Sequence, residues 1–92
     1  MQEYTFNNLK YIVEKDENDI FDYTQMQEMI TPYFNDYDYI LGDIAYNKIR
    51  LKGFCDKKNK NLKEINNIKN LDKYLNDYCA YGCKWFLLKK MQ

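Results

Sequence analysis

The residues best suited to chemistry lie in the middle of the chain, where acidic side chains are followed by basic ones. Asp38 and Asp43 precede an alternating run that contains Arg50 and Lys52. Two carboxylates beside a lysine are an arrangement that magnesium-dependent nucleases use, because the acids hold the metal and the lysine helps to position the attacking water. Those enzymes have an acid two residues before the lysine, and this chain has Arg50 there. A nuclease-like enzyme is therefore the least favoured alternative, and aspartates that begin strands and pair with neighbouring bases are the better interpretation.

Other catalytic arrangements are missing from the sequence. The chain contains no histidine and no serine, which excludes a Ser-His-Asp triad, a Cys-His pair and any histidine general base. Its three glycines, Gly42, Gly53 and Gly82, are too few and too scattered for a phosphate-binding loop or a dinucleotide fingerprint. The sequence predicts a non-enzymatic protein that needs no cofactor.

The three cysteines, Cys55, Cys79 and Cys83, are the only other candidate ligands. They supply at most three thiolates, whereas a structural zinc ion takes four ligands, so that Asp56 or another carboxylate would have to complete the site. An odd number of cysteines in a chain rich in apolar residues argues against a disulfide framework. Reduced, buried thiols are the prediction, with a zinc site as the weak alternative.

Basic side chains and one aromatic share a face of the run 48–54, which alternates as a half-buried strand does. Cations that contact phosphates and a ring that stacks on a base are the means by which sheet surfaces bind single-stranded RNA. The region 43–60 is therefore predicted to contact RNA or an RNA-associated assembly. A protein-interaction or regulatory adaptor is the alternative, and an ordinary solvated strand face explains the same pattern. The predicted binding residues are Asp43, Tyr46, Lys48, Arg50, Lys52, Phe54, Lys57 and Lys58.

Apolar periodicity and turn residues predict the elements that position this surface. The predicted fold class is α+β, a small mixed β-sheet of four to five strands with two packed helices in the order ββαββα(β). In chain order, the first elements are a hairpin or one bent strand of 4–6 and 9–13 around Asn7-Asn8, a helix with a capping box at Thr24 that kinks or ends near Pro32, and strands 37–46 and 48–54 joined at Tyr46-Asn47. They are followed by a mobile solvated loop over 56–70, with or without a short strand, a helix from Asn70 to Gly82, and a buried strand at 85–88.

The length of the chain and the distribution of its charges bear on the number of domains and on the kind of partner. A chain of 92 residues buries about 65% of its extended surface and supplies one core, which predicts a single domain over 1–92. Residues 1–46 contain ten acids and two lysines, whereas residues 47–92 contain twelve bases and four acids. Interleaved strands would let these charges pair, and separate faces would make a dipole that attracts nucleic acid or an acidic protein. With no apolar run near about 20 residues and no signal-peptide pattern, the protein is expected in the cytoplasm, away from membranes.

Three separated blocks stand out in the sequence: 37–43 (YDYILGD), 50–54 (RLKGF), and the pairs 74–75 (YL), 78–79 (YC) and 82–83 (GC). In their order and approximate spacing, over roughly residues 9–90, they resemble the YutD-like family of small bacterial proteins. The resemblance implies an α/β protein from the cytoplasm of low-GC Gram-positive bacteria or their wall-less relatives, without an assigned biochemical function. Where family members tend to have Trp-Gly-Tyr-Gly, positions 44–47 here are Ile-Ala-Tyr-Asn. The family's polar motif positions correspond here to Asp43, Tyr46, Arg50 and Lys52.

Overall fold

The computed structural model describes residues 3–78 and 83–91. Its centre is a five-stranded sheet with the spatial order β1-β2-β5-β3-β4, in which every neighbouring pair of strands is antiparallel. The α+β class and the order of elements are confirmed, and the sheet is antiparallel where a mixed sheet was predicted. The strands are β1 (Glu3–Phe6), β2 (Leu9–Lys15), β3 (Tyr39–Ala45), β4 (Lys48–Phe54) and β5 (Trp85–Lys90).

Between the strands, the described residues form two α-helices and three 3-10 turns. The helices are α1 (Tyr23–Met29) and α2 (Leu71–Tyr78), and the 3-10 turns are Pro32–Asp36, Glu64–Asn66 and Ile68–Asn70. The first helix begins earlier than predicted, because Asp22 rather than Thr24 accepts the capping bond from the Gln25 amide at 3.2 Å. It ends at Met29, before Pro32, as predicted. Gly82, the predicted end of the second helix, lies outside the described residues.

Strand β5 lies between β2 and β3, and elements packed on both sides of the sheet cover its two faces. Phe86, Leu87 and Leu88 are all buried, as expected for an apolar run in the middle of a sheet. One face packs against α1 and the first 3-10 turn, with a core of Phe6, Tyr11, Met26, Ile30, Phe34, Ile40, Phe86 and Leu88. The opposite face packs against α2, with Leu41, Phe54 and Leu87 at its centre and Tyr39, Ile68, Leu71, Tyr74, Leu75 and Trp85 around them.

The predicted loop over 56–70 contains two of the 3-10 turns and is attached to the end of β4. The Cys55 amide donates to the Asn66 carbonyl at 2.6 Å, and the Ile68 amide donates to the Cys55 carbonyl at 3.0 Å. Asn66 is buried and its side chain accepts from the Lys63 amide at 2.7 Å. Asparagines that bond to the backbone therefore give this segment local structure that its apolar pattern does not show.

The acidic and basic halves of the sequence interleave in the sheet. β1, β2 and β3 come from the acidic half, and β4 and β5 come from the basic half, with β5 between β2 and β3. Within the described part of the chain, no helix is long and apolar enough to cross a membrane.

Candidate interaction surface at the basic hairpin

The basic hairpin is defined here as β3, β4 and the following segment to residue 60. Its strands pair in register, with Asp43 opposite Arg50 and Leu41 opposite Lys52. β4 is an edge strand, since β3 is its only neighbour in the sheet order. The alternation of a strand places Lys48, Arg50, Lys52 and Phe54 on one face, which is the face that α2 covers at its Phe54 end.

The strongest polar contact of this surface is an ion pair between the two strands. Arg50 Nε donates to Asp43 Oδ1 at 3.1 Å, and Arg50 Nη2 donates to Asp43 Oδ2 at 2.8 Å. Only 3% of the Asp43 side chain is exposed, whereas 47% of the Arg50 side chain is. The hydrogen bonds that Arg50 donates to Asp43, followed by the charge of that carboxylate, raise the pKa of Arg50 above its ordinary value. A planar guanidinium therefore holds a buried carboxylate by two parallel bonds, which fixes the register of the hairpin.

Lys52 and Phe54 are occupied by contacts within the fold. The Lys52 ammonium lies 5.3 Å from the ring centroid of Phe54 and 5.5 Å from that of Tyr74, both within cation–π range. Phe54 is fully buried and packs edge-on against Tyr74, with ring centroids 5.5 Å apart. Phe54 therefore has no exposed ring on which a base could stack.

The remaining predicted binding residues face solvent. Tyr46 is 97% exposed at the turn between β3 and β4. Lys48 is exposed at the start of β4, and Lys57 and Lys58 are exposed beyond its end. The structure therefore divides the predicted site into an internal group, an exposed turn, and an exposed lysine pair at the other end of the strand.

The lysine pair lies beside a cavity that sequence reasoning missed. This cavity of about 600 Å³ brings Lys57 and Lys58 together with Lys89 and Lys90 at the end of β5. Asp38 and Asp56 also line it. The two lysine pairs are thirty residues apart in the sequence, and only the pairing of β3 with β5 brings them together, so no local pattern could have indicated the cluster.

Asp38, one of the two proposed metal-binding acids, is a structural acceptor. Its Oδ2 accepts from the Asp56 amide at 2.8 Å and from Asn59 Nδ2 at 3.1 Å, which fastens the segment after β4 to the start of β3. Asp43 instead bonds to Arg50 on the face that α2 covers. The structure does not bring the two acids together, and no cluster of three potential ligands occurs among residues 3–78 and 83–91.

The cysteines divide into different states. Cys55 is free and fully buried, and burial followed by the nearby Asp38 carboxylate raises the pKa of its thiol. Cys83 is disulfide-bonded, which corrects the prediction that the thiols are reduced and removes Cys83 from any thiolate set. Three cysteines argue against a framework of several disulfides, but they still allow one disulfide bond. Cys79 lies outside the described residues.

Two tyrosines at the first 3-10 turn form a pair that the sequence did not single out. The Tyr33 and Tyr37 hydroxyls lie 3.2 Å apart, and this hydrogen bond is the main cause that raises the pKa of Tyr37 to about 12. Tyr33 is 67% exposed, whereas the Tyr37 ring packs over Gly53 on β4. The spacing of four residues is the only signal in the sequence, and it is also the spacing of an ordinary helical stripe.

The family profile described as "Putative antitoxin YutD-like" matches residues 5–89. The chain belongs to the YutD-like family. Its motif positions Asp43 and Arg50, which the resemblance had pointed to, are the two partners of the ion pair between β3 and β4.

Two comparisons with Bacillus subtilis proteins support the same assignment. A protein named "Putative antitoxin YutD" from strain 168 is 45% identical over 58 residues, which cover 63% of this chain and 64% of that relative. The aligned region thus spans less than two thirds of that relative's length. The solution NMR structure of protein yutD from B. subtilis superposes with a TM-score of 0.80 and 32% identity, over 100% of this YutD-like chain and 84% of the other. The fold is therefore shared by the two proteins.

Proposed function

We propose that this chain is a non-enzymatic module that binds a partner protein, as an antitoxin would bind the toxin it neutralises. The observation that carries the proposal is that the β4 side chains predicted to contact RNA are largely engaged within the fold. Arg50 is bound to Asp43 by two hydrogen bonds, and Lys52 lies over two aromatic rings. A phosphate would have to compete with these internal contacts for both cations.

The aromatic side chains favour a protein partner for the same reason. Surfaces that bind single-stranded RNA commonly stack two or three bases on successive exposed rings. Phe54 is buried, which leaves Tyr46 as the one exposed aromatic residue of the described hairpin. Protein interfaces, by contrast, concentrate their binding energy in a few Tyr, Trp and Arg side chains. A single exposed tyrosine fits that distribution better than it fits a stacking platform.

RNA remains a second candidate, carried by the lysine cluster at the far end of β4. Lys57, Lys58 and Lys89 are exposed around a cavity of about 600 Å³, and cations of this kind contact phosphates without reading the sequence. The carboxylates of Asp38 and Asp56 line the same cavity and oppose an anion there. This mixture of charges is the reason for placing RNA second.

The nuclease-like alternative is the least supported. Asp38 and Asp43 have different hydrogen-bond partners, so they do not form a common metal site. The family description names an antitoxin and no enzyme. Isothermal titration with magnesium and manganese should give no heat of binding; a saturable heat that Asp38→Asn abolishes would revive this alternative.

The deciding experiment is in-cell crosslinking of the tagged protein, with recovered RNA and protein identified together before and after nuclease treatment. We expect a protein partner whose recovery nuclease does not change. The affinity of the purified pair should then change less than about tenfold between 50 and 200 mM salt, because six or more phosphate contacts would cost roughly a thousandfold. Loss of the partner after nuclease treatment, together with weakened recovery of RNA by Lys57→Glu/Lys58→Glu, would overturn the proposal in favour of RNA.

A further inference from the structure

The turn between β3 and β4 has an unusual residue in a left-handed conformation. Tyr46 has φ +53° and Asn47 has φ +65°. The first hairpin has the same pair of positive angles, +55° and +69°, and there both positions are asparagine, Asn7 and Asn8. Two-residue turns of this kind prefer Asn, Asp or Gly, because a bulky side chain at positive φ crowds the backbone. The second hairpin therefore holds a tyrosine where the fold favours asparagine or glycine.

The tyrosine ring gains no burial in return for this conformation. Tyr46 is 97% exposed, more than any other large hydrophobic side chain described. Tyr33, the comparable exposed tyrosine, is 67% exposed and its hydroxyl bonds to Tyr37. Strained residues that do not serve packing concentrate at binding and catalytic sites. The conformation thus presents almost the whole phenol ring to solvent on a two-residue turn.

Basic side chains lie at the same end of the sheet as the turn. Lys48 is exposed two residues beyond Tyr46, and the Lys84 carbonyl accepts from the Ile44 amide at 3.1 Å, which brings exposed Lys84 to the same end of the sheet. Arg50 is half exposed on the same strand, whereas its partner Asp43 is 2% exposed. The neighbouring carboxylate therefore faces inwards, and the cations face outwards.

We infer that Tyr46 is the anchor of a protein interface, inserting its ring into an apolar pocket that acidic residues surround on the partner. The inference rests on the proposed protein-binding function and adds the contact residue and the chemistry of the partner. A tyrosine supplies a large apolar surface with few torsions to immobilise and a hydroxyl for one hydrogen bond, which suits it to a central contact. Lys48 and Lys84 supply the charge complementarity to a surrounding ring of carboxylates.

The test uses a photo-reactive residue, p-benzoylphenylalanine, incorporated in place of Tyr46 in the full chain in its native cell. The matched control has the same residue in place of Tyr33, which is exposed and aromatic but lies on the 3-10 turn. We expect one protein crosslinked at position 46 and absent at position 33, identified by mass spectrometry and then purified. Its affinity for Tyr46→Gly should be at least about 30-fold weaker than for the original chain, as for a central interface residue.

The other outcomes separate failure of the anchor from failure of the protein-binding proposal. A protein crosslinked only at position 33, or one that binds Tyr46→Gly as well as the original chain, would overturn the anchor and leave protein binding intact. RNA crosslinked at position 46 would overturn both. Because glycine suits this turn, Tyr46→Gly should fold, and a circular dichroism spectrum equal to that of the original chain verifies it.

Discussion

Replacing Tyr46 by glycine should stabilise the protein, although it removes a large side chain. A left-handed conformation costs a non-glycine residue about 1–2 kcal/mol, which glycine avoids. Glycine in turn loses about 0.5–1 kcal/mol through its greater freedom in the unfolded chain. Since 97% of the tyrosine is exposed, its removal forfeits almost no burial. The net gain should be about 0.5–1 kcal/mol, which for a domain of this size raises Tm by roughly 2–8 °C.

Urea denaturation followed by circular dichroism measures this free energy of unfolding, with the redox state of the buffer held constant because Cys83 is disulfide-bonded. Tyr46→Ala is the matched control, because it removes the ring but keeps a Cβ at φ +53°. It should change stability by less than about 0.5 kcal/mol, as surface substitutions usually do. If both variants are less stable than the original chain, the ring packs against the protein and the reasoning is wrong. If the free energy of unfolding rises in Tyr46→Gly but not in Tyr46→Ala, the cause is the left-handed backbone conformation at position 46.

Three further results follow from the same geometry. Gly53→Ala should destabilise by about 1–3 kcal/mol in urea denaturation, because its Cβ would clash with the Tyr37 ring, and Tyr37→Ala should relieve that cost. Arg50→Met should cost about 1.5–3 kcal/mol by leaving the Asp43 carboxylate without its two bonds, and Arg50→Lys should recover only part of it; an unchanged midpoint in Arg50→Met would contradict this. Tyr33→Phe should lower the pKa of Tyr37 from about 12 towards 10.0, as followed by NMR. Because the folded state holds that phenol proton more tightly, the stabilising contribution is full below about pH 10 and is lost as pH rises towards 12.

The sequence predicted the strands well because their signals are local. Both hairpins were located from paired turn residues, and the apolar run at 85–88 correctly indicated a strand buried on both faces. The helix start was missed by two residues, since Asp22 and Thr24 are both good caps and only the bond to Gln25 distinguishes them. In the asparagine-rich segment the apolar residues Leu62, Ile65 and Ile68 recur every third residue, and this spacing does not indicate that the segment attaches to Cys55 through Asn66.

The sequence indicated which residues share a face of β4, but it did not indicate how the rest of the fold packs around them. Alternation correctly placed Lys48, Arg50, Lys52 and Phe54 on one face, yet the sequence does not state which face a helix covers. Because α2 packs on this face, Phe54 is buried in the core and the Lys52 ammonium lies over its ring. The ring that the RNA interpretation needed for base stacking is therefore not accessible. The pairing of Asp43 with Arg50 depends on cross-strand register, which follows from the turn length once Tyr46-Asn47 is recognised as a two-residue turn.

Although strands from the acidic half (residues 1–46) and the basic half (residues 47–92) interleave in the sheet, few of their charged side chains in the described part of the chain form ion pairs with each other. This affects how a partner would bind. One ion pair among the described residues joins the halves, Asp43 with Arg50, and the other, Lys15 with Glu17, lies within the acidic half. The field at the hairpin therefore comes largely from solvated lysines, which steer association more than they hold a complex together. A buried aromatic contact acts mainly on dissociation. If Tyr46 is the anchor and Lys48 belongs to the surrounding charge, surface plasmon resonance should show Tyr46→Gly raising the dissociation rate and Lys48→Glu lowering the salt-dependent association rate. The reverse assignment would mean that the hairpin binds by charge and that its tyrosine is incidental.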